Sequence, residues 1–272
     1  MTMIRPNRKK QHKDLTIVHA SLQVFDTDKQ ATSDLVKILD RTRPHLIGGT
    51  EGGDLARKAL LHEILESKGY IAYTPEGGDS WLGVKQGLAF GEVSLASKKV
   101  IPSAPALGDP HHFSSKHVTR ASFNTRTLGP ITFIGGLHDL TNARRPGQAQ
   151  QDKPGDPVNH VEMSKKYMAE AAEQAKAGAR GDGISFLTGD FNRIDRTSNL
   201  MYDEDFLSCW DEMQHWPDTG HGNIDAVIRL KSDRRVDLKD AYVLTDRDLA
   251  LETDHFLTVT KYRVQKLAGP LN

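Results

Sequence analysis

Ile184-Ser185-Phe186-Leu187-Thr188-Gly189-Asp190-Phe191-Asn192 is the stretch on which the reading of this chain turns. Ile184 to Leu187, apolar but for Ser185, read as a buried strand, and Gly189 lets the backbone turn sharply. Asp190 and Asn192 follow two residues apart, so in extended geometry both point away from Phe191, to one side of the chain. A carboxylate and a carboxamide presented together at a strand's end suit a hydrated cation or a phosphate. Gly, Asp and Asn are also common turn residues. The stretch alone leaves both readings open, and the polar residues at other strand ends must decide.

Bulk properties narrow the field. The 272 residues suffice for one large domain or two small ones, and a hydrophobic fraction of 37% is adequate for a folded core. Lys plus Arg (36) balance Asp plus Glu (36), so no global field attracts a polyanion. Any such partner must be held by a local patch or by bound metal. Cys209 is the only cysteine, which excludes an intramolecular disulfide and argues against a Cys-based zinc site. No run approaches the roughly 18 apolar residues of a membrane span. Arg5, Arg8, Lys9, Lys10 and Lys13 make residues 1–13 a basic, flexible arm with no apolar segment behind it, and the expectation is a soluble, cytoplasmic protein without a membrane segment.

Residues 14–272 show no repeat and no break in composition, and read as one domain. A strand is expected from Leu15 to Phe25, with Ser21 and Gln23 on one face and Leu22 and Val24 on the other. Thr32 or Ser33 is expected to cap a helix carrying Leu35, Ile38 and Leu39, which Pro44 stops. A short strand, residues 45–50, ends at Glu51. Asp54 caps the next helix, which closes at Gly69. Residues 75–130 are expected to hold hairpins and a long loop. Their His111-His112 pair has no carboxylate at helical or hairpin spacing and reads as surface. Further strands are expected at 131–137, ending at His138-Asp139, and at 223–228 and 240–245, with a last one from Thr253-Asp254-His255 through Tyr262. A helix is expected from about Val158 to Ala177, and a loop around Trp210 and Trp216. Strands that alternate with helices early and cluster late suggest packed sheets with helices outside.

Collecting the polar residues at strand ends gives Glu51, His138, Asp190, Asn192, Asp225, Asp254 and His255. Mg²⁺ or Mn²⁺ favours oxygen ligands and needs only one or two protein carboxylates, which Glu51, Asp190 and Asp254 can supply. A carboxylate beside an imidazole fixes its tautomer and raises its basicity, and Asp225 with His255 can form such a pair. A calcium loop at Asp190 fails, because Ile194 stands where the third ligand belongs and the following glycine is missing.

In this order the set resembles the endonuclease/exonuclease/phosphatase superfamily, the DNase I-like fold. The motifs are Gly-Thr-Glu at 49–51, Gly-Leu-His-Asp at 136–139, Gly-Asp-Phe-Asn at 189–192, Asn-Ile-Asp at 223–225 and Thr-Asp-His at 253–255. The resemblance spans most of the chain, from Leu15 to Tyr262. It implies an α+β fold of two packed, mainly antiparallel β-sheets flanked by helices, a four-layer α/β/β/α sandwich with the site at one edge. Glu51 then looks like the metal-binding glutamate, and Asp254 a second carboxylate at the metal. Asp190 and Asn192 match the pair that positions water and phosphate. His255 matches the general base, Asp225 the acid that orients it, and His138 the histidine that stabilises the transition state. One position departs from the pattern. The first strand of such proteins normally ends in an Asn near the metal, but the segment here reads His19-Ala20-Ser21-Leu22-Gln23, with Ser21 or Gln23 in its place.

The expected activity is a Mg²⁺- or Mn²⁺-dependent phosphodiester hydrolase acting on nucleic acid, DNA above all. Arg144 and Arg145, after His138, and a basic cluster at Arg229, Lys231, Arg234 and Arg235 are the candidate contacts. The rivals are a phosphomonoesterase, a lipid or inositol-phosphate phosphodiesterase, and a phosphate-binding protein that has lost turnover, because fold alone does not choose among them.

Overall fold

Alternation along the first strand sets the architecture. In β1 (His12–Ser21), Leu15 and Ile17 join a core shared with Phe133 and Phe186, while Val18 and Ala20 pack with Leu35, Ile38, Leu61 and Leu65. Both faces of the strand are therefore covered, one by a second sheet and one by helices. The computed structural model describes residues 12–22, 27–102, 104–105, 112–113, 115–139, 160–191, 200–219, 225–251, 253 and 255–267. β1 begins at His12, just inside the stretch expected as a basic arm, and residues 1–11 lie outside the described residues.

The first sheet contains β1, β2 (Leu46–Thr50), β3 (Tyr70–Tyr73), β4 (Trp81–Lys85), β13 (Val236–Leu244) and β14 (Leu257–Gln265), in the order β13-β14-β1-β2-β4-β3. The second contains β5 (Val93–Ile101), β8 (Lys116–Thr125), β9 (Gly129–His138), β10 (Ile184–Asp190), β11 (Phe206–Ser208) and β12 (Asp225–Leu230), in the order β11-β12-β10-β9-β8-β5. Among the described residues, the short strands β6 (Ala104–Pro105) and β7 (His112–Phe113) pair only with each other; His112 lies there, and His111 is outside the described residues. All pairings are antiparallel except β1 with β2 and β9 with β10. The sheets pack face to face, with the Phe186 and Tyr262 rings 5.1 Å apart between them. This is the DNase I-like α+β sandwich that the motifs imply.

Helices cover the outer faces. α1 (Asp28–Thr42) starts a turn earlier than expected, because Thr27 and Gln30 form a reciprocal capping box. Thr32, expected as the cap, instead donates its hydroxyl back to Asp28 O from inside the helix. α2 (Leu55–Ser67) is capped by Asp54, as its sequence predicts, and the chain leaves it through Gly69 at φ 76°. α3 (His160–Gly178) lays Met168, Ala171 and Ala175 on the second sheet. Around Trp210 the expected loop is replaced by the short helix α4 (Cys209–Met213), which Ser208 caps and whose Trp210 is buried. α5 (Asp246–Leu249) precedes β14. None of the described helices is long and apolar enough to cross a membrane.

Two glycine pairs bring the sheets together at one end. A Cβ on Gly48 would overlap Thr188 and the Gly135 backbone, and one on Gly136 would overlap the Gly49 carbonyl. Gly136 also sits at φ 65°, where a side chain is strained. The backbones of β2 and β9 thus touch just before Glu51 and His138. Without these glycines the two strand ends would stand a side chain apart.

Candidate active site

Topology explains why the polar residues converge. The parallel neighbours β1–β2 and β9–β10 end at the same edge of the sandwich, and the antiparallel β12 and β14 start there. Asp190 lies in register with His138 on one side and with Asp225 on the other. Ser21 lies opposite Thr50, which donates to its hydroxyl at 2.8 Å, and His255 precedes β14. Glu51 follows β2 in the left-handed region, at φ 56°. A non-glycine residue there stores backbone strain, which concentrates at functional sites.

Asp225 is fully buried between two imidazoles. His255 Nδ1 lies 3.1 Å from Oδ2, and His19 Nε2 lies 3.1 Å from Oδ1. The Asp225 main chain is fixed as well: its carbonyl accepts from Trp210 Nε1 at 2.8 Å and from the Thr258 hydroxyl at 3.2 Å. Burial would raise the Asp225 carboxyl, but the two histidines outweigh it and hold the group well below the usual range. For His255, burial would lower the ring, while Asp225, Asp190 and Glu51 raise it, to about 9. Glu51 and Asp190 therefore act on the same imidazole that Asp225 orients.

His138 belongs to a second carboxylate–imidazole pair. Its Nδ1 is 2.5 Å from Oδ2 of Asp79, and its Nε2 is 3.8 Å from Oδ2 of Asp190. The buried Lys116 ammonium reaches the same Asp79 oxygen at 3.3 Å. Burial opposes the charge on Asp79, yet Lys116 and His138 hold its carboxyl well below the usual range. His138 is raised: burial and Lys116 lower it, and Asp79, with Asp190, more than compensates. The turn that carries Asp79 is tied down twice. Lys58, from α2, donates to the carbonyls of Pro75, Glu76 and Gly78, and Gly52 N donates to Asp79 O at 2.9 Å.

The structure thus brings together Glu51, His138, Asp190, Asp225 and His255, with Ser21 at the end of β1 beside Thr50. Gln23, Arg144, Arg145, Asn192 and Asp254 lie outside the described residues. Sequence reasoning missed Asp79, Lys116 and His19. Asp79 follows Gly77-Gly78 and reads as part of a turn, and Lys116 sits in the stretch whose strands are hardest to delimit. His19 did leave a signal, because alternation puts it on the face of Ser21. The basic cluster is also different from its expected form. Arg229 turns inward onto Glu212, at 3.0 Å for its Nε, and Arg235 donates to the carbonyls of Leu128 and Asp182. Lys231 and Arg234 line a groove past the far end of β12, roughly 17 Å along the strand from Asp225.

As a cation site the donors fit in kind. Ligand atoms of Asp190, Asp225 and His255 fall within 4.8 Å of one another. Both Asp225 oxygens already face imidazoles, which leaves Asp190 and Glu51 as the described carboxylates suited to a hard divalent ion.

No protein-family model matches the sequence, and no curated protein matches it. Solved structures do match, over nearly the whole chain. An endonuclease/exonuclease/phosphatase family protein from Bacteroides thetaiotaomicron superposes with a TM-score of 0.62 at 14% identity, covering 94% of this chain and 97% of that one. D. rerio TDP2 complexed with single strand DNA product gives 0.59 at 13%, covering 92% and 98%. ANGEL2, a 2',3'-cyclic phosphatase in complex with adenosine-2',3'-vanadate, gives 0.63 at 13%, covering 94% and 99%. The chain has the fold of endonuclease/exonuclease/phosphatase proteins, as its motifs imply.

Proposed function

We propose that the protein is a divalent-metal-dependent phosphodiester hydrolase and, within that class, a nuclease acting on DNA. The observation that carries this reading is the convergence, at one sandwich edge, of two oriented histidines with the carboxylates of Glu51 and Asp190. Mg²⁺ or Mn²⁺ held by Glu51 and Asp190, with Asp254 implied by the motifs, would neutralise the phosphate for attack. The protein's own groups divide the rest of the work. Asp225 engages Nδ1 of His255, which leaves Nε2 to take a proton from the attacking water when the ring is neutral. Asp79 engages Nδ1 of His138 and favours its charged form, so Nε2–H is a donor for a phosphate oxygen as negative charge accumulates there. Asp190, in register with His138 on one side and Asp225 on the other, would orient the water. Asn192 keeps the phosphate-positioning role that the motif gives it.

DNA is favoured by Arg144-Arg145, six and seven residues after His138 in the sequence, and by the likeness to a protein bound to a single-stranded DNA product. The inward-turned Arg229 and Arg235 favour a second reading, hydrolysis of a small phosphoester, and the likeness to a cyclic phosphatase is compatible with it. Supercoiled plasmid and a panel of inositol phosphates and sphingomyelin-like lipids, each with Mg²⁺ and Mn²⁺, separate the two. Plasmid nicking that is lost in Asp190→Ala supports the nuclease. Phosphate or headgroup release with the plasmid left intact rejects it in favour of the small ester.

A further inference from the structure

His19 has no place in the mechanism above. It is fully buried on β1, with Nε2 3.1 Å from Oδ1 of Asp225, close enough for an ion pair though off the line of a hydrogen bond, and its Nδ1 has no hydrogen-bond partner among the described residues. A buried polar nitrogen without a partner is costly, and an aliphatic residue would fill the same interior position without that cost. Something offsets it. With its proton on Nε2 the ring turns its one N–H side towards the carboxylate, an electrostatic contact at 3.1 Å. Asp225 is equally enclosed, and its other oxygen faces His255, which lies at the mouth of the site and is itself slightly exposed.

We propose that His19 is a positioning residue: from inside the sandwich it holds Oδ1 of Asp225, and so fixes the carboxylate whose Oδ2 aligns His255. A lone carboxylate can rotate about its Cβ–Cγ bond and lose the in-plane contact with the imidazole. With one oxygen held from the interior and the main-chain carbonyl held by Trp210 and Thr258, that rotation is blocked. His19 is placed for this by strand geometry. It precedes Ser21 by two residues on the inward face of β1, and its register partner Thr258 is the residue that also donates to Asp225 O. His19 never meets solvent, so it acts through Asp225 and not on the substrate. The inference rests on Asp225–His255 being the acid–base pair of the proposed hydrolysis.

The test compares His19→Leu, which removes both nitrogens, with His19→Gln, whose amide nitrogen reaches the Nε2 position. With a small activated phosphodiester, His19→Leu should lose about 10- to 100-fold in kcat with KM nearly unchanged, and His19→Gln should recover most of it. In a His255→Ala background, the further loss from His19→Leu should shrink below about twofold. An undiminished loss there, or no recovery in Gln, overturns the proposal. An arm that needs no turnover uses ¹⁵N spectra of neutral His255. The Nδ1–H tautomer should dominate in wild type and His19→Gln and give way to a mixture in His19→Leu; an unchanged tautomer refutes the positioning role. If every variant lacks hydrolysis while the spectra behave as expected, the proposed function fails and the positioning stands. Should His19→Leu not fold, His19→Asn, whose amide reaches only the Nδ1 position, takes its place.

Discussion

Two carboxylates, Asp79 partly buried and Asp225 fully buried, are each shared by two basic side chains, and that sharing sets the chemistry of single residues here. Asp79 answers to His138 and Lys116, and Asp225 to His19 and His255. For the first pair the linkage can be followed with pH. The depressed Asp79 carboxyl contributes stability that is present above its unfolded value, about 3.9, and is lost as pH falls through the folded value. The raised His138 contributes stability that is full below about 6.5 and is lost as pH rises through its folded value. The stability gap between wild type and Asp79→Asn, measured by urea unfolding, should therefore be widest between about pH 4 and 6.5 and narrow on both sides. A gap that does not vary with pH would remove the ion pair from the account. At His255, titration followed by NMR should show a midpoint near 9 without metal. Adding Mg²⁺ should lower it, because the Glu51 and Asp190 charges that raise it are then neutralised; a constant midpoint would mean the ion binds elsewhere. His255→Ala should slow hydrolysis by roughly 10²–10⁴-fold, and undiminished turnover would end its role as base.

At the scale of elements, the glycine pairs decide whether the site assembles at all. Gly136→Ala combines a left-handed backbone with overlap on the Gly49 carbonyl, and should cost at least about 2 kcal/mol in unfolding free energy. Gly87→Ala, with nothing within 4 Å of the new Cβ, should stay within about 0.5 kcal/mol. Equal effects would show that the close approach of β2 and β9 is not what these glycines secure. Much of this level could be read in the sequence, because each strand that bears a site residue announces itself by an apolar run closed by a polar one. What escaped was decided by short-range chemistry that competes with better-known signals. Thr32-Ser33 is as good a cap as Thr27, until Gln30 is seen to complete a reciprocal pair with Thr27. The Trp210 helix is one short turn, too brief to show a period.

Across the whole molecule, equal numbers of acids and bases leave recognition to local groups. If DNA is held through a few phosphates, binding should weaken with salt on a log–log slope of about −0.9 for each duplex phosphate neutralised; a flat response points to a small ester. The site was legible where a residue stands at a strand's end, as at Glu51, His138, Asp190 and Asp225. It was not legible where a side chain arrives from a glycine turn or from a strand interior. Asp79 and His19 have no spacing that ties them to the histidine or the acid they serve, and only the packing of one sheet on the other does so. The central claim is that this edge hydrolyses phosphodiesters with a divalent ion at Glu51 and Asp190. Turnover of a small activated phosphodiester, followed in Mg²⁺ or Mn²⁺ before and after EDTA, for wild type beside Asp190→Ala, tests it most directly. The account predicts turnover that EDTA abolishes, restored ion rescues and the substitution removes; turnover that survives EDTA or Asp190→Ala, or none with either ion, contradicts it.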